Sequence, residues 1–228
     1  MRSRLVIAIF VALAVVGAVS ACGGSSDNGV ASKSPEQIVS TASSTLEAAQ
    51  TVHVSGTVAN GNSPVTLDLS LVSGKGATGS MSESGLSFQI VAIDQTVYIN
   101  GSPAFWRHFG GNVAAALLTG KWLKAPETGQ FGSLAELTDL QRLISELVGS
   151  HGTLTKGPTT TVNGQKVIAV SDASRGGTLY VATTGKPYPI EISKPGPQGG
   201  QIAFDRFNQP VSLTAPPNAI DISSLTSP

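Results

Sequence analysis

The stretch TVHVSGTVANGNSPVTLDLSL, residues 51–71, decides the fold, because its apolar residues recur at every second position. Val52, Val54 and Thr57 mark one strand, Asn60-Gly61 a turn, and Leu67, Leu69 and Leu71 alternate with Thr66, Asp68 and Ser70 in the next. A period of two with polar residues between describes a half-buried antiparallel hairpin, apolar on one face and solvated on the other. Towards the C-terminus the same alternation predicts strands at Leu86–Ile93, Thr96–Ile99, Val167–Val170, Thr178–Ala182, Pro189–Ser193 and Gln201–Phe207. Asn100-Gly101, Asn163-Gly164 and Gly176-Gly177 supply further turn signals.

Upstream of the hairpin the period changes. Ser34-Pro35-Glu36-Gln37 is a helix start, with an N-cap Ser, Pro at the first helical position and Gln at the third. Ile38, Ala42, Leu46 and Ala49 then fall on one stripe, which predicts an amphipathic helix over about 34–50. Between the strand groups, Phe105–Trp122 carries aromatics and a short helix predicted over Asn112–Gly120. Ser133-Leu-Ala-Glu136 is a capping box, followed by Leu137, Leu140, Ile144 and Leu147, with Gly149 as the stop. The order of helix, strands, helices and strands is an α+β layout, with helices gathered on one face of an antiparallel sheet.

The first residues are of another kind. Arg2 and Arg4 form a basic head, Leu5 to Val19 an apolar run, and Val19-Ser20-Ala21-Cys22 ends it. The run is shorter than the roughly 20 apolar residues of a membrane span and fits a signal-peptide core. Small residues before a Cys mark the cut of a lipoprotein signal peptidase. Residues 1–21 are therefore read as signal peptide and Cys22 as the lipid-bearing first residue. Gly23 to Ser34, rich in Gly, Ser, Asn and Asp, reads as a flexible tether reaching at most roughly 40 Å. Residues 35–228 form one domain on the extracytoplasmic side of the cell membrane.

Composition narrows the function. Cys22 is the only cysteine, so lipidation leaves neither disulfide nor thiolate. Fourteen basic residues balance fourteen acidic ones, and no basic cluster follows Arg4, which argues against nucleic acid. Mean hydropathy is positive and only 12% of the chain is charged; part of this belongs to the signal peptide, and the remainder hints at internal apolar surface beyond a compact core. Gly74-Lys-Gly76-Ala-Thr-Gly79 has the spacing of a dinucleotide fingerprint, but no helical pattern follows, so it reads as a hairpin turn. His53, His108 and His151 have no ligand partners at zinc spacing, and no Gly-x-Ser-x-Gly or Ser-x-x-Lys motif occurs. Neither an enzyme, a metal site nor a cofactor is expected.

Several passages together resemble the actinobacterial LppX/LprG-type lipoproteins, relatives in fold of the LolA/LolB carriers. They are the lipobox Val19–Cys22, His53-Val54-Ser55-Gly56 after the first helix, Val97-Tyr98-Ile99-Asn100-Gly101, and Gly120-Lys121-Trp122-Leu123-Lys124-Ala125-Pro126. Phe204-Asp205-Arg206-Phe207-Asn208-Gln209-Pro210-Val211 and Ala215-Pro216-Pro217-Asn218-Ala219 complete the set. The resemblance implies a strongly curved antiparallel half-barrel, helices on its concave face, and an apolar cavity holding acyl chains of lipids or glycolipids. It also implies a membrane exporter as partner and a monomeric carrier.

The residues that such a cavity would use are Leu67, Leu69, Leu71, Phe88, Ile90, Val97, Ile99, Ile190 and Ile192 on strands. On helices they are Leu117, Leu118, Leu140, Ile144 and Leu147, with Trp106 and Trp122 at a mouth or membrane interface. Alternation tells which residues point inward and is silent on whether the interior is full. The same fold with a filled interior would be a surface-tethered scaffold or signalling lipoprotein.

Overall fold

The computed structural model describes residues 26–61, 63–128 and 151–222. The signal-peptide segment, Cys22 and the helix expected over 133–149, with Leu140, Ile144 and Leu147, lie outside the described residues.

Two meanders make one open, strongly curved sheet. The first is β1 (Thr51–Asn60), β2 (Ser63–Val72), β3 (Gly76–Glu83), β4 (Leu86–Ile93) and β5 (Thr96–Gly101), each antiparallel to the next. The short β6 (Leu123–Pro126) follows on β5, and β12 (Ile220–Asp221) lies parallel to β6 at the edge. The second meander is β7 (Leu154–Val162), β8 (Gln165–Asp172), β9 (Thr178–Ala182), β10 (Pro189–Lys194) and β11 (Gly200–Asp205). Pairing of β1 with β11, Val54 opposite Phe204, joins the two into the order β12-β6-β5-β4-β3-β2-β1-β11-β10-β9-β8-β7.

Glycines let the sheet bend. Gly56 in β1 and Gly79 in β3 have φ of 155° and 157°, and a Cβ on either would lie 2.0 Å from the carbonyl oxygen of Gln201 or Asp68. Strand glycines of this kind mark tight bends and close backbone approach. The segment read from sequence as a hairpin turn is therefore a turn only up to Lys75. Gly76–Glu83 is a strand whose small inward residues, Ala77 and Gly79, hide its period. The edge strand β7 shows no alternation in its sequence, because Thr159, Thr160 and Thr161 are exposed and its register shifts around Pro158. Asn100-Gly101 is no hairpin turn; it ends β5 and leads into a helix.

Helix α1 (Pro35–Glu47) begins as its sequence requires. Gln37 N–H donates to Ser34 Oγ at 3.3 Å, and Ser34 N–H donates to Gln37 Oε1 at 3.2 Å. Ile38, Val39 and Ala42 pack on Ile168, Val170, Leu179 and Val181 of β8 and β9. Helix α2 (Pro103–Leu118) starts nine residues before the expected Asn112. Ser102 caps it by accepting from Phe105 N–H at 3.2 Å, and Pro103 occupies its first turn. Gly110 and Gly111 then break the helical geometry, Gly111 with φ 69°, so the predicted helix is only the second half of a kinked one.

The tether is shorter than its composition suggests. Asp27 bridges Thr184, Asn28 N–H donates to Thr183 O at 2.9 Å, and Asn28 Nδ2 donates to Ala182 O at 2.9 Å. Val30, in a 3-10 turn over Val30–Ser32, is buried with Ile38 and Val170, while Lys156 Nζ donates to the carbonyls of Ala31 and Lys33 at 3.1 Å. One apolar residue and one Asn side chain turn most of a polar segment into part of the domain.

Candidate functional site

Strand register divides the inner face into four transverse rows. Val52, Leu71, Ala77, Ala92, Val97 and Ala125 form the first, and none is more than 2% exposed. Val54, Leu69, Gly79, Ile90, Ile99 and Leu123 form the second, and every side chain in it is buried as deeply. The third is Gly56, Leu67, Met81, Phe88 and Gly101, in which Leu67 and Phe88 are only half-buried. The fourth, Val58, Val65, Glu83 and Leu86, is open further. One end of the strands is thus sealed, and apolar side chains continue to the other end, beside the β1–β2 and β3–β4 turns.

Helix α2 starts at this open end. Phe105 stands over the third row, its ring centroid 5.0 Å from that of Phe88 and 4.7 Å from that of Phe109. Trp106 is 2% exposed and packs against Gly101, where a Cβ would meet the indole at 3.0 Å. Its Nε1–H is, among the described residues, the one buried side-chain nitrogen or oxygen with no hydrogen-bond partner. A buried donor without an acceptor costs about 1–3 kcal/mol.

The residues singled out from the sequence separate into groups. Leu69, Leu71, Ile90, Val97, Ile99, Trp106 and Leu118 come together in one buried cluster, with the partly buried Leu67, Phe88 and Ile192 packed against it. Ile190 does not join them. It sits where β10 bulges and packs with Val167 and Ala182, neighbours of the inward-facing Ile168 and Val181 and therefore on the opposite face. Leu117 is 41% exposed and points away from the sheet, whereas Trp122 is half-buried.

Two surface depressions formed by described residues open on the outer face. One of about 390 Å³ runs between Thr66, Ser82, Ser87 and Ser102 on one side and Asp68, Ser80, Gln89 and Asn100 on the other. The second, about 980 Å³, is bounded by Thr57, Tyr180, Lys194 and Gln201 and by the loop from Pro195 to Gly200. Leu67, Met81 and Phe88 also line the first, and Pro64, Pro195 and Pro197 the second, so polar and apolar residues share both walls.

Folding also gives His53 partners that linear spacing hid. The side chain is nearly buried on the outer face of β1, with Nδ1 2.6 Å from Asp205 Oδ1 of β11 and Nε2 3.0 Å from Asp68 Oδ1 of β2. This bracket ties three central strands at the join of the two meanders. Both ring nitrogens are engaged by carboxylates, so neither is free to activate a hydroxyl. Among the described residues no group of three His, Cys, Asp or Glu is placed to hold a metal ion.

An open antiparallel sheet curved around helices, with an apolar concave face, defines the LppX-like half-barrel fold. Solved structures that share it include two mycobacterial lipoproteins. LprF from Mycobacterium bovis overlaps with a TM-score of 0.56 at 16% identity, over 80% of this chain and 96% of that one. The lipoprotein LppX of Mycobacterium tuberculosis overlaps with a TM-score of 0.52 at 12% identity, over 79% and 98%. The likeness expected from the sequence is therefore present at the level of fold. No protein-family model and no curated protein matches the sequence.

Proposed function

We propose that the chain is a membrane-anchored lipoprotein that takes the acyl chains of a lipid or glycolipid against the open end of its inner face and carries or presents them across the cell envelope. The carrying observation is the gradient along that face, from rows that are fully buried to rows in which Leu67, Phe88, Val65 and Leu86 remain partly uncovered. An acyl chain laid along these rows would gain about 0.8 kcal/mol for each methylene removed from water. The unpartnered Trp106 Nε1–H is a donor for an ester carbonyl or a hydroxyl of such a ligand. Cys22 supplies the anchor, the domain faces the extracytoplasmic side, and a membrane or a membrane exporter supplies the cargo. The reading involves no bond-breaking chemistry.

A second reading, a tethered scaffold or signalling lipoprotein, is favoured by the close packing of the first two rows. Quenching separates the two. Trp106 and Trp122 are the only tryptophans. Titration with a brominated fatty acid quenches Trp106 emission saturably in a carrier and leaves it unchanged in a scaffold, with Trp106→Phe identifying the residue that responds.

A further inference from the structure

Among the described residues, the large apolar side chains left exposed are Phe109, Val113 and Leu117, at 64%, 80% and 41%. All three belong to α2: Val113 and Leu117, four apart beyond the kink, share one side, and Phe109 stands just before it. The half of α2 beyond the Gly110-Gly111 kink reads Asn-Val-Ala-Ala-Ala-Leu-Leu. Its inward side presents Ala114, Ala115 and Leu118 to the core, and its outward side is apolar as well. A helix that is apolar all round belongs in a core or in lipid, and scattered single exposures do not explain such a stripe.

Charge identifies the occupant. From Gln95 to Pro126 there is no Asp or Glu, while Arg107, Lys121 and Lys124 give this segment a net charge of +3 in a chain that is neutral overall. Lys124 is engaged with Asp221, but Arg107 and Lys121 are exposed near the two ends of the stripe. The anchor limits the distance. Asp27 is fixed at Thr184, so the five Cα steps from Cys22 to Asp27 span about 17 Å at most. That attachment lies at the sealed end of the strands, and α2 rises at the open end.

We infer that α2 is a second membrane contact: Phe109, Val113 and Leu117 enter the interface of an anionic bilayer, with Arg107 and Lys121 against its headgroups. The inference rests on the anchor in the proposed function and is independent of whether the inner face holds a lipid. Held at both ends, the domain lies with its helix-bearing face along the membrane, and the open rows of the inner face meet the lipid they would exchange.

The test uses the acylated full-length product with an environment-sensitive fluorophore on Val113→Cys. This position is exposed enough to leave folding unchanged, and the Cys22 thiol is blocked by its lipid. In phosphatidylcholine vesicles containing phosphatidylglycerol, emission should shift to the blue and be quenched by nitroxide-bearing lipids, whereas a label at Thr160→Cys should do neither. Arg107→Glu with Lys121→Glu should abolish the shift. An aqueous spectrum at 113 in anionic vesicles overturns the inference, as does a blue-shifted one before vesicles are added, which would mean that protein covers the stripe. Equal insertion in neutral vesicles overturns the role given to charge. The mass of the N-terminal peptide reports acylation of Cys22 separately, so failure of the anchor is distinguishable from failure of α2 to dock.

Discussion

The two helices cover the same face of the same sheet with opposite results. Under α1 the face is closed: Ile38, Val39 and Ala42 meet Val30, Ile168, Val170, Leu179 and Val181, and each of these residues is buried. The helix is properly amphipathic, its start is held by a reciprocal cap, and the docked segment from Asp27 to Lys33 seals its entrance. Under α2 the apolar surface exceeds what the helix covers, leaving Leu67, Phe88 and Leu86 half-buried below and Phe109, Val113 and Leu117 exposed above. A helix kinked at two glycines and apolar on both sides is poorly suited to closing a core. It is well suited to lying between a core and a lipid phase. The α1 half is the closed part of the core, and the α2 half is where the proposed function places the lipid.

The largest effect should come from the curvature that both halves share. Gly79→Val places side-chain atoms into the backbone of β2, and a loss of about 4 kcal/mol or more is expected in urea unfolding, or no folded protein at all. Next, Ile38→Ala in the closed half should cost about 3 kcal/mol, as for a filled core site, and leave lipid affinity unchanged. Leu117→Ala in the open half should change stability by less than about 0.5 kcal/mol, because that side chain is exposed. A cost at Leu117 comparable to that at Ile38 would erase the distinction between the halves.

The smallest effect concerns pH. Asp172, at the β8–β9 turn, accepts from the backbone N–H groups of Gly152 and Ser174 at 2.8 Å and of Arg175 at 3.0 Å. The Gly152 N–H above all holds its carboxyl below the ordinary value of 3.8. A carboxylate with a depressed folded-state pKa contributes stability above its unfolded pKa and loses it as pH falls through the folded one. Asp172→Asn should therefore be slightly less stable than the parent at pH 6, and the gap should shrink below pH 4 in parallel thermal melts. A gap that is independent of pH would show that the turn depends on shape alone.

The legible parts of the fold were those with a strong period or a paired terminal signal. The Thr51–Leu71 hairpin, the strand limits at Leu86–Ile93 and Thr178–Ala182, and the start of α1 at Ser34 follow from alternation, turn chemistry and capping. Strand β3 was hidden because glycine and alanine stand where its inward residues should signal, and β7 because an edge strand of exposed threonines has little to alternate. The start of α2 was missed although Ser102-Pro103 is a cap followed by a first-turn proline, since the Asn100-Gly101 pair before it imitates a hairpin turn. Alternation tells that Leu67, Leu69, Leu71, Phe88, Ile90, Val97 and Ile99 face inward, as the strand register has them, and is silent on whether a lipid reaches them. It misplaced Ile190 because a bulge in β10 resets the alternation, and Leu117 because a helix with apolar residues on every side does not declare its inner face. The Asp68-His53-Asp205 bracket depends on three strands brought together by the β1–β11 pairing, which no local pattern announces.

Leu67 is the position at which the account is most exposed. It is inward-facing and half-buried, in the row where closed core gives way to open apolar surface, so a larger side chain fits there without the overpacking that Leu69→Trp would impose at a fully buried site. The direct measurement is mass spectrometry of organic extracts from the Cys22→Ser protein and its Leu67→Trp derivative, both purified from the native host, with acyl chains of the anchor thereby excluded. The account predicts a diacylated lipid or glycolipid in the first extract, at least tenfold less in the second, and similar unfolding midpoints for both. Equal lipid in the two extracts, or none above an unrelated lipoprotein prepared alongside, would contradict it.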